Sequence, residues 1–294
     1  MNCRSKLNIF SIGLALATWL LIIAGASVTS TGSGLAVPDW PLSYGQWFPR
    51  MAGGVLFEHG HRLIAGTVAG LTIVFAFCLW RFERRGWVLR LGYFSVLVVL
   101  LQALLGGLTV LYSLPPVISI AHAILGQTFF CLVVSLALFT SPEWQADKDR
   151  AVGTPGQIEL FSILSGISVL VLYCQLVAGA RLRHGGGTGA LNLHIGGAVC
   201  VVAALLTLFL IVQTWFSRHK PFVRLTQAQV GLLIMQINLG LASLFPYKLG
   251  WLLSLPGIYP AILSVHVAVG AGLLALTLIL ALLAWQLRHP FSCI

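Results

Sequence analysis

The sequence predicts an all-α polytopic membrane protein in which eight transmembrane helices form two pseudo-two-fold related four-helix bundles. The 294 residues are 58% hydrophobic and only 8% charged, and their mean hydropathy is +0.95. A bilayer core of about 30 Å requires roughly 20 apolar residues per helix. The runs that meet this length are 9–29, 59–80, 92–113, 117–140, 159–180, 192–216, 226–246 and 259–287. Almost no length remains for a soluble domain.

The Lys and Arg residues predict a multi-pass protein of the cell membrane with both termini in the cytoplasm. With that orientation, most of the 17 basic residues fall on the cytoplasmic side, as the positive-inside rule requires. The first span resembles a secretory signal, but its apolar stretch is long, and we expect a retained helix. The net charge of +10 comes from basic residues that are scattered through short loops. Nucleic-acid binding would need them on one face, so no nucleic-acid partner is expected.

Two halves with the same plan are predicted. The polar stretch Ser141–Gln157 separates an N-terminal half, residues 1–146, from a C-terminal half, residues 147–294. The third span carries Gln102 ahead of LLGGLTV, and the seventh carries Gln236 ahead of INLGLAS. Spans two, four, six and eight open with HRLIAG, HAILG, HIGG and HVAVG. Four spans per half keep both copies parallel, which predicts a two-fold axis along the membrane normal.

One histidine lies in the first turns of each even-numbered span: His61, His122, His194 and His266. An imidazole at hydrocarbon depth is costly to desolvate. A single one is best explained by a hydrogen bond to a neighbouring helix, but four at one depth favour two pairs of iron ligands. Low-spin b-type heme takes two neutral imidazoles, and facing helices of a bundle supply them. A non-heme metal would usually also bring carboxylates.

Glu58 is the candidate for chemistry at the first pair. It stands three residues before His61, so the two share a helical face. The alternative is that Glu58 only occupies the N-terminus of the second helix, where the helix dipole favours a carboxylate. The other three histidine spans carry no carboxylate at this place. This asymmetry suggests that the N-terminal site does chemistry and that the C-terminal site holds a cofactor.

The predicted outer surface offers further candidates. The loop Thr31–Arg50 is either a lid over the first site or a set of interfacial Trp anchors. Outer arginines either pair with heme propionates or extend towards the interface, and they are Arg62, Arg181 and Arg183. His59 and His184 are candidates for supporting the ligands.

Three features resemble the heme A synthase family: the loop segment GSGLAVPDWPLSYG, the motif Glu58-x-x-His61-Arg62, and the single histidines of spans four, six and eight. The resemblance implies that His61 and His122 flank the substrate, heme O. It implies that Glu58 is the catalytic carboxylate and that a heme b cofactor, ligated by His194 and His266, relays electrons. The implied reaction oxidises the C8 methyl group of heme O, through an alcohol, to the formyl group of heme A.

The chain departs from the family at two loop positions. Many members carry cysteines on both sides of PDWPL, where this chain has Val37 and Ser43. We therefore expect this protein to act without an outer cysteine pair. The resemblance names heme O synthase and cytochrome oxidase assembly proteins as candidate partners beside membrane lipid, and a homo-oligomer is left open.

Two other functions remain open from the sequence. A di-heme b-type electron-transfer subunit without its own chemistry would need two equivalent sites and no lone carboxylate. A transporter would place its site near the midplane on interrupted helices, whereas these spans read as continuous.

Overall fold

The structure is a computed structural model that describes residues 3–145, 153–244 and 255–289. Within these ranges eight helices are long and apolar enough to span a membrane, which confirms the predicted all-α class. They are α1 (Cys3–Ser30), α2 (Gly54–Phe82), α3 (Gly86–Leu111), α4 (Pro116–Phe139), α5 (Pro155–Arg183), α6 (Thr188–Trp215), α7 (Lys220–Leu244) and α8 (Ile258–Arg288). A single helical turn, Pro142–Gln145, follows α4. The predicted boundary between the halves, at 146/147, lies outside the described residues.

Several helices begin earlier than their apolar runs. Helix α2 begins at Gly54 rather than near residue 59, and α5 begins at Pro155 rather than near 159. The start of α5 is fixed by a capping box: Thr154 Oγ1 accepts from the Gln157 backbone N–H, and Gln157 Oε1 accepts from that of Thr154. Hydropathy finds the central apolar part of a helix and does not locate its first turn, which for α5 is set by this cap.

The helices of each half contact one another in the same cyclic order. In the first half α1 packs on α2, α2 on α3, α3 on α4, and α4 on α1. In the second half α5, α6, α7 and α8 close an equivalent ring. The helices that carry the candidate histidines therefore lie diagonally opposite in each ring. The two-fold axis relating the rings stays a prediction.

Helices α1, α4, α5 and α8 form the contact between the two rings. Polar side chains link them there: Trp19 Nε1 donates to the Ala268 carbonyl at 2.9 Å, and the hydroxyls of Thr128 and Tyr173 lie 2.7 Å apart. Half of the most apolar stretch of α8 is buried, against a third or less for every other spanning helix. Helix α8 is therefore the central helix, and the two halves share one packed interior.

Candidate functional site

The four candidate ligands lie at one common depth. Each is the seventh to ninth residue of its helix, and all four are partly buried. At about 1.5 Å rise per residue they lie roughly 10 Å from the helix starts, at the predicted outer end of the protein. The structure brings them together in pairs. The rings of His194 and His266 have centroids 6.3 Å apart, and His61 and His122 lie on α2 and α4, which are diagonally opposite in the first ring of helices.

The spacing of the second pair fits iron held between two imidazoles. A metal–imidazole bond is about 2 Å long, so two bonds plus two ring half-widths of ~1.1 Å span roughly 6 Å. No group of three or more His, Cys, Asp or Glu side chains suited to a metal ion is found within the described ranges. Two imidazoles alone leave a metal under-coordinated. A porphyrin, which brings four nitrogens of its own, fits this ligand set.

A glycine of the preceding helix faces each imidazole. A Cβ built on Gly25, Gly106, Gly179 or Gly240 would lie 3.0, 3.1, 3.0 and 3.3 Å, respectively, from the Cε1 atom of the facing histidine. These glycines lie on α1, α3, α5 and α7, in the same order as the histidine helices that follow them. A larger residue would displace the ring, so the glycine backbone forms a cradle for each candidate ligand.

Three glutamines lie one turn before three of those glycines. Gln102 Nε2 donates to the His122 carbonyl at 2.9 Å, and Gln175 Nε2 donates to the His194 carbonyl at 2.8 Å. Gln175 Nε2 also lies 3.1 Å from His194 Nδ1, whereas Gln236 Nε2 lies 3.3 Å from the other ring nitrogen, Nε2, of His266. The sequence reasoning singled out Gln102 and Gln236 but missed Gln175. The spacing Q-x-x-x-G, common to all three, would have found it.

Buried polar atoms around the histidines lack partners. The Nδ1 atoms of His61, His122 and His266 have no hydrogen-bond partner among the described residues, and neither do the side-chain oxygens of the three glutamines. Such atoms are uncommon in folded proteins and call for an explanation such as an unseen ligand. A polar or metal-bearing group between the histidines is consistent with them.

Glu58 is buried against the outer loop. Its Oε2 accepts from the Val37 backbone N–H at 2.9 Å, and its Oε1 accepts from Arg62 Nη2 at 2.6 Å. Because α2 begins at Gly54, Glu58 stands in the second turn rather than at the helix N-terminus. The carboxylate is therefore an anchor for the loop, a role that the sequence did not predict.

Arg62, the ion-pair partner of Glu58, also binds the same loop. Its Nη1 donates to the carbonyls of Asp39 and Leu42 at 2.7 and 2.6 Å. The prediction that Arg62 pairs with a heme propionate finds no support in this geometry, because the guanidinium is already engaged by a carboxylate and two carbonyls.

The two positions at which many family members carry cysteine are fully buried. Val37 and Ser43 are both 0% exposed. Ser43 Oγ lies 2.7 Å from Nδ1 of His59, which is also buried. His59 therefore supports the loop rather than a ligand histidine. At both positions a hydrogen bond joins the loop to α2, between Val37 and Glu58 and between Ser43 and His59.

The tip of the loop is ordered by local contacts. The backbone N–H groups of Gly45 and Tyr44 donate to the Asp39 carboxylate, and the Gly45 bond is the main reason that the pKa of Asp39 lies below its usual value. The Trp40 ring lies directly on Gly107 of α3, where a Cβ would come within 2.7 Å of it. The loop therefore packs on the first ring of helices at Trp40, whereas Trp47 is 70% exposed, so the lid and the interfacial Trp anchors both stay predictions.

The remaining outer cations lie between the two halves. Arg183 Nη2 donates to Ser30 Oγ at 2.7 Å. Arg181 and His184 line a cavity of about 320 Å³ with Pro116 of α4, and burial lowers the pKa of His184, with a further contribution from Arg183. No hydrogen bond or ion pair engages the Arg181 guanidinium within the described part of the chain, so it remains a candidate for an acidic group.

These features define a multi-pass α-helical membrane protein with two similar histidine-pair sites, one of them covered by a loop. Residues 51–194 match the model of a family described as cytochrome oxidase assembly protein. The chain is 29% identical over 190 residues to a heme A synthase of Bacillus pumilus, covering 62% of this chain and 60% of that protein. It is 29% identical over 175 residues to that of Bacillus licheniformis, covering 58% of this chain and 56% of the relative.

A longer match, 26% identical over 261 residues, covers 81% of this chain and 83% of a heme A synthase of an Exiguobacterium species. The chain thus aligns with less than two thirds of the length of the two Bacillus proteins and with most of the third. Together these matches confirm the predicted resemblance to the heme A synthase family. The family model includes Glu58, His61, His122 and His194 but ends before His266.

Proposed function

We propose that this protein is an oxidoreductase that converts the C8 methyl group of heme O to the formyl group of heme A. Relatives that align with most of this chain carry the name heme A synthase. The observation that carries the proposal is an asymmetry. Two similar histidine pairs lie at one depth, and within residues 3–145, 153–244 and 255–289 only the first is accompanied by a buried carboxylate and a covering loop.

In this proposal the first pair, His61 and His122, holds the substrate heme O. The second pair, His194 and His266, would hold heme b, which would relay electrons between the first site and an external redox partner. Iron porphyrin would supply the redox chemistry that side chains lack for an unactivated methyl group, with an external oxidant as the final electron acceptor and dioxygen or water as the source of the oxygen atom. The 6.3 Å spacing of the second pair and the glycine facing each ring support both assignments.

The protein's own residues would exclude water and manage protons at the first site. The loop anchored by Glu58 and Arg62 lies over this half of the protein, and Trp40 packs on α3 beneath it. Glu58 would accept a proton from the reacting group or orient water there. Its fixed position, one turn from His61, supports that role, and its bonds to Val37 and Arg62 would set its orientation.

Identification of the hemes in the purified protein tests the proposal. Hemes are extracted and weighed by mass spectrometry from cells that also make heme O. Heme O or heme A found together with heme b supports the enzyme. Heme b alone supports the other candidate, a di-heme electron-transfer subunit, and overturns the proposal.

A further inference from the structure

The four corners at which a histidine helix meets its preceding helix are not equivalent. At three corners a glutamine lies four residues before the facing glycine: Gln102 before Gly106, Gln175 before Gly179, and Gln236 before Gly240. Each glutamine reaches the backbone carbonyl or the ring of the histidine there. At the fourth corner the glycine is Gly25, and the residue four positions before it is Leu21.

His61 is consequently the least restrained of the four candidate ligands. Gly25 faces its ring as closely as the other glycines face theirs, so the corner is packed in the same way. Leu21, however, is apolar and has no donor or acceptor in its side chain. The Nδ1 atom of His61 is buried and has no partner among the described residues, as is also true of His122 and His266, so what distinguishes His61 is the lack of a glutamine contact. His122, its counterpart, is held through its carbonyl by Gln102.

Groups that hold a ligand side chain from behind strongly affect metal binding. Loss of such a partner typically weakens metal affinity by about 10–100-fold, because the ligand is no longer kept in the binding orientation. A metal site that must react also keeps one coordination position available, whereas a site that only holds its metal is closed. The corner without a glutamine amide therefore belongs to the first pair, which is the site where a reaction requires an available coordination position.

We propose that Gln102, Gln175 and Gln236 are positioning residues for three of the histidines, and that Leu21 makes His61 the exchangeable ligand of the first pair. The inference rests on the proposed function, because it requires that both pairs hold iron porphyrin. The second pair, restrained at both histidines, stays closed to external ligands. The first pair admits a small molecule in the place of His61.

Carbon monoxide binding to the dithionite-reduced, heme-loaded protein tests this inference. The wild-type protein is expected to bind carbon monoxide at one of its two hemes. A variant with both His194→Ala and His266→Ala, which retains only the first pair, is expected to keep that binding. Equal binding at both hemes, or binding at the second pair alone, overturns the inference while leaving the proposed function intact. Absence of heme from the wild-type protein overturns both.

Matched substitutions then test the glutamines themselves. Gln236→Leu places on α7 the residue type that α1 has at Leu21. It is expected to raise the affinity of the second heme for carbon monoxide by about tenfold or more. The control is Gln229→Leu on the same helix. Gln229 is buried and donates to Thr277 Oγ1 of α8 at 2.8 Å, far from any histidine, and its loss should leave binding unchanged. Equal effects of the two substitutions contradict the inference.

The converse substitution, Leu21→Gln, should lower the rate constant of carbon monoxide binding at the first heme by several-fold. Leu21→Met is the control for packing, because it keeps an apolar side chain of similar size. The optical spectrum of the reduced protein, recorded before carbon monoxide is added, reports whether each variant retains both hemes. Unchanged binding in a Leu21→Gln variant that retains both hemes contradicts the assignment of His61.

Discussion

Substitution of Glu58 by glutamine separates a chemical role for this residue from a structural one. The side chain keeps its size, but only one of its two terminal atoms can still accept a hydrogen bond. The two donors that it now serves are the Val37 N–H and Arg62 Nη2. In the variant one of these donors must face an amide N–H₂ group, and Arg62 loses its ion-pair partner.

The magnitudes of three explanations differ. A carboxylate that only favoured the helix dipole would contribute about 0.3–1 kcal/mol, and Glu58 lies a full turn beyond the helix start. The side chains of Glu58 and Arg62 are only 4% and 13% exposed, and removal of one partner from a buried ion pair costs about 3–5 kcal/mol. A proton acceptor contributes about 10²–10⁴-fold in rate. Loss of the loop anchor can therefore also lower activity substantially.

Arg62→Met is the matched control because it breaks the same ion pair and leaves the Glu58 carboxylate in place. We expect Glu58→Gln to abolish heme A formation while heme stays bound at both pairs. We expect Arg62→Met to retain at least 100-fold more activity than Glu58→Gln. The assay is heme A accumulated per folded protein, with heme b content as the folding control. Near-normal heme A in Glu58→Gln, or equal losses in the two variants, would refute a chemical role for Glu58.

Three further results are expected. His194→Ala or His266→Ala should remove the tightly bound heme b, because iron keeps one axial ligand; an unchanged reduced-minus-oxidised spectrum in both variants would contradict this. Gly179→Val should lower heme b content by displacing His194, whereas Gly166→Val on the same helix, where a Cβ meets nothing within 4 Å, should not; equal losses would show a general helix effect. Heme A formation should not require cysteines at positions 37 and 43, and an inactive native protein that becomes active in the Val37→Cys/Ser43→Cys variant would disprove this.

The helices and the histidine pairs were predictable because both depend on regular spacing. A run of about 20 apolar residues is needed to cross a bilayer, so hydropathy finds all eight spans. Histidines at one depth of alternate helices must meet if each half closes into a ring, and the His194–His266 spacing agrees with that expectation. That the four histidines ligate heme stays a prediction.

Other contacts were only partly accessible from the sequence. The pairing of Glu58 with Arg62 follows from their i,i+4 spacing on a helix, although the spacing of Glu58 to His61 on the same face predicted a different role for the carboxylate. The hydrogen bond from Val37 to Glu58 joins an irregular loop to a helix across 21 residues, and no periodic sequence pattern predicts such a contact. Trp40 on Gly107 is a contact of the same kind.

The two halves show how one helical plan can serve different tasks. Each ring places two histidines on opposite helices and faces each with a glycine, so both can accept the same planar group. Among the residues that the structure describes, the differences are local: a 20-residue segment, Thr31–Arg50, against the short α5–α6 link, one buried carboxylate, and Leu21 in place of a glutamine. All three fall at the His61 corner. A shielded site with a fixed acceptor and one weakly restrained ligand suits chemistry, whereas a site with both ligands restrained suits electron transfer.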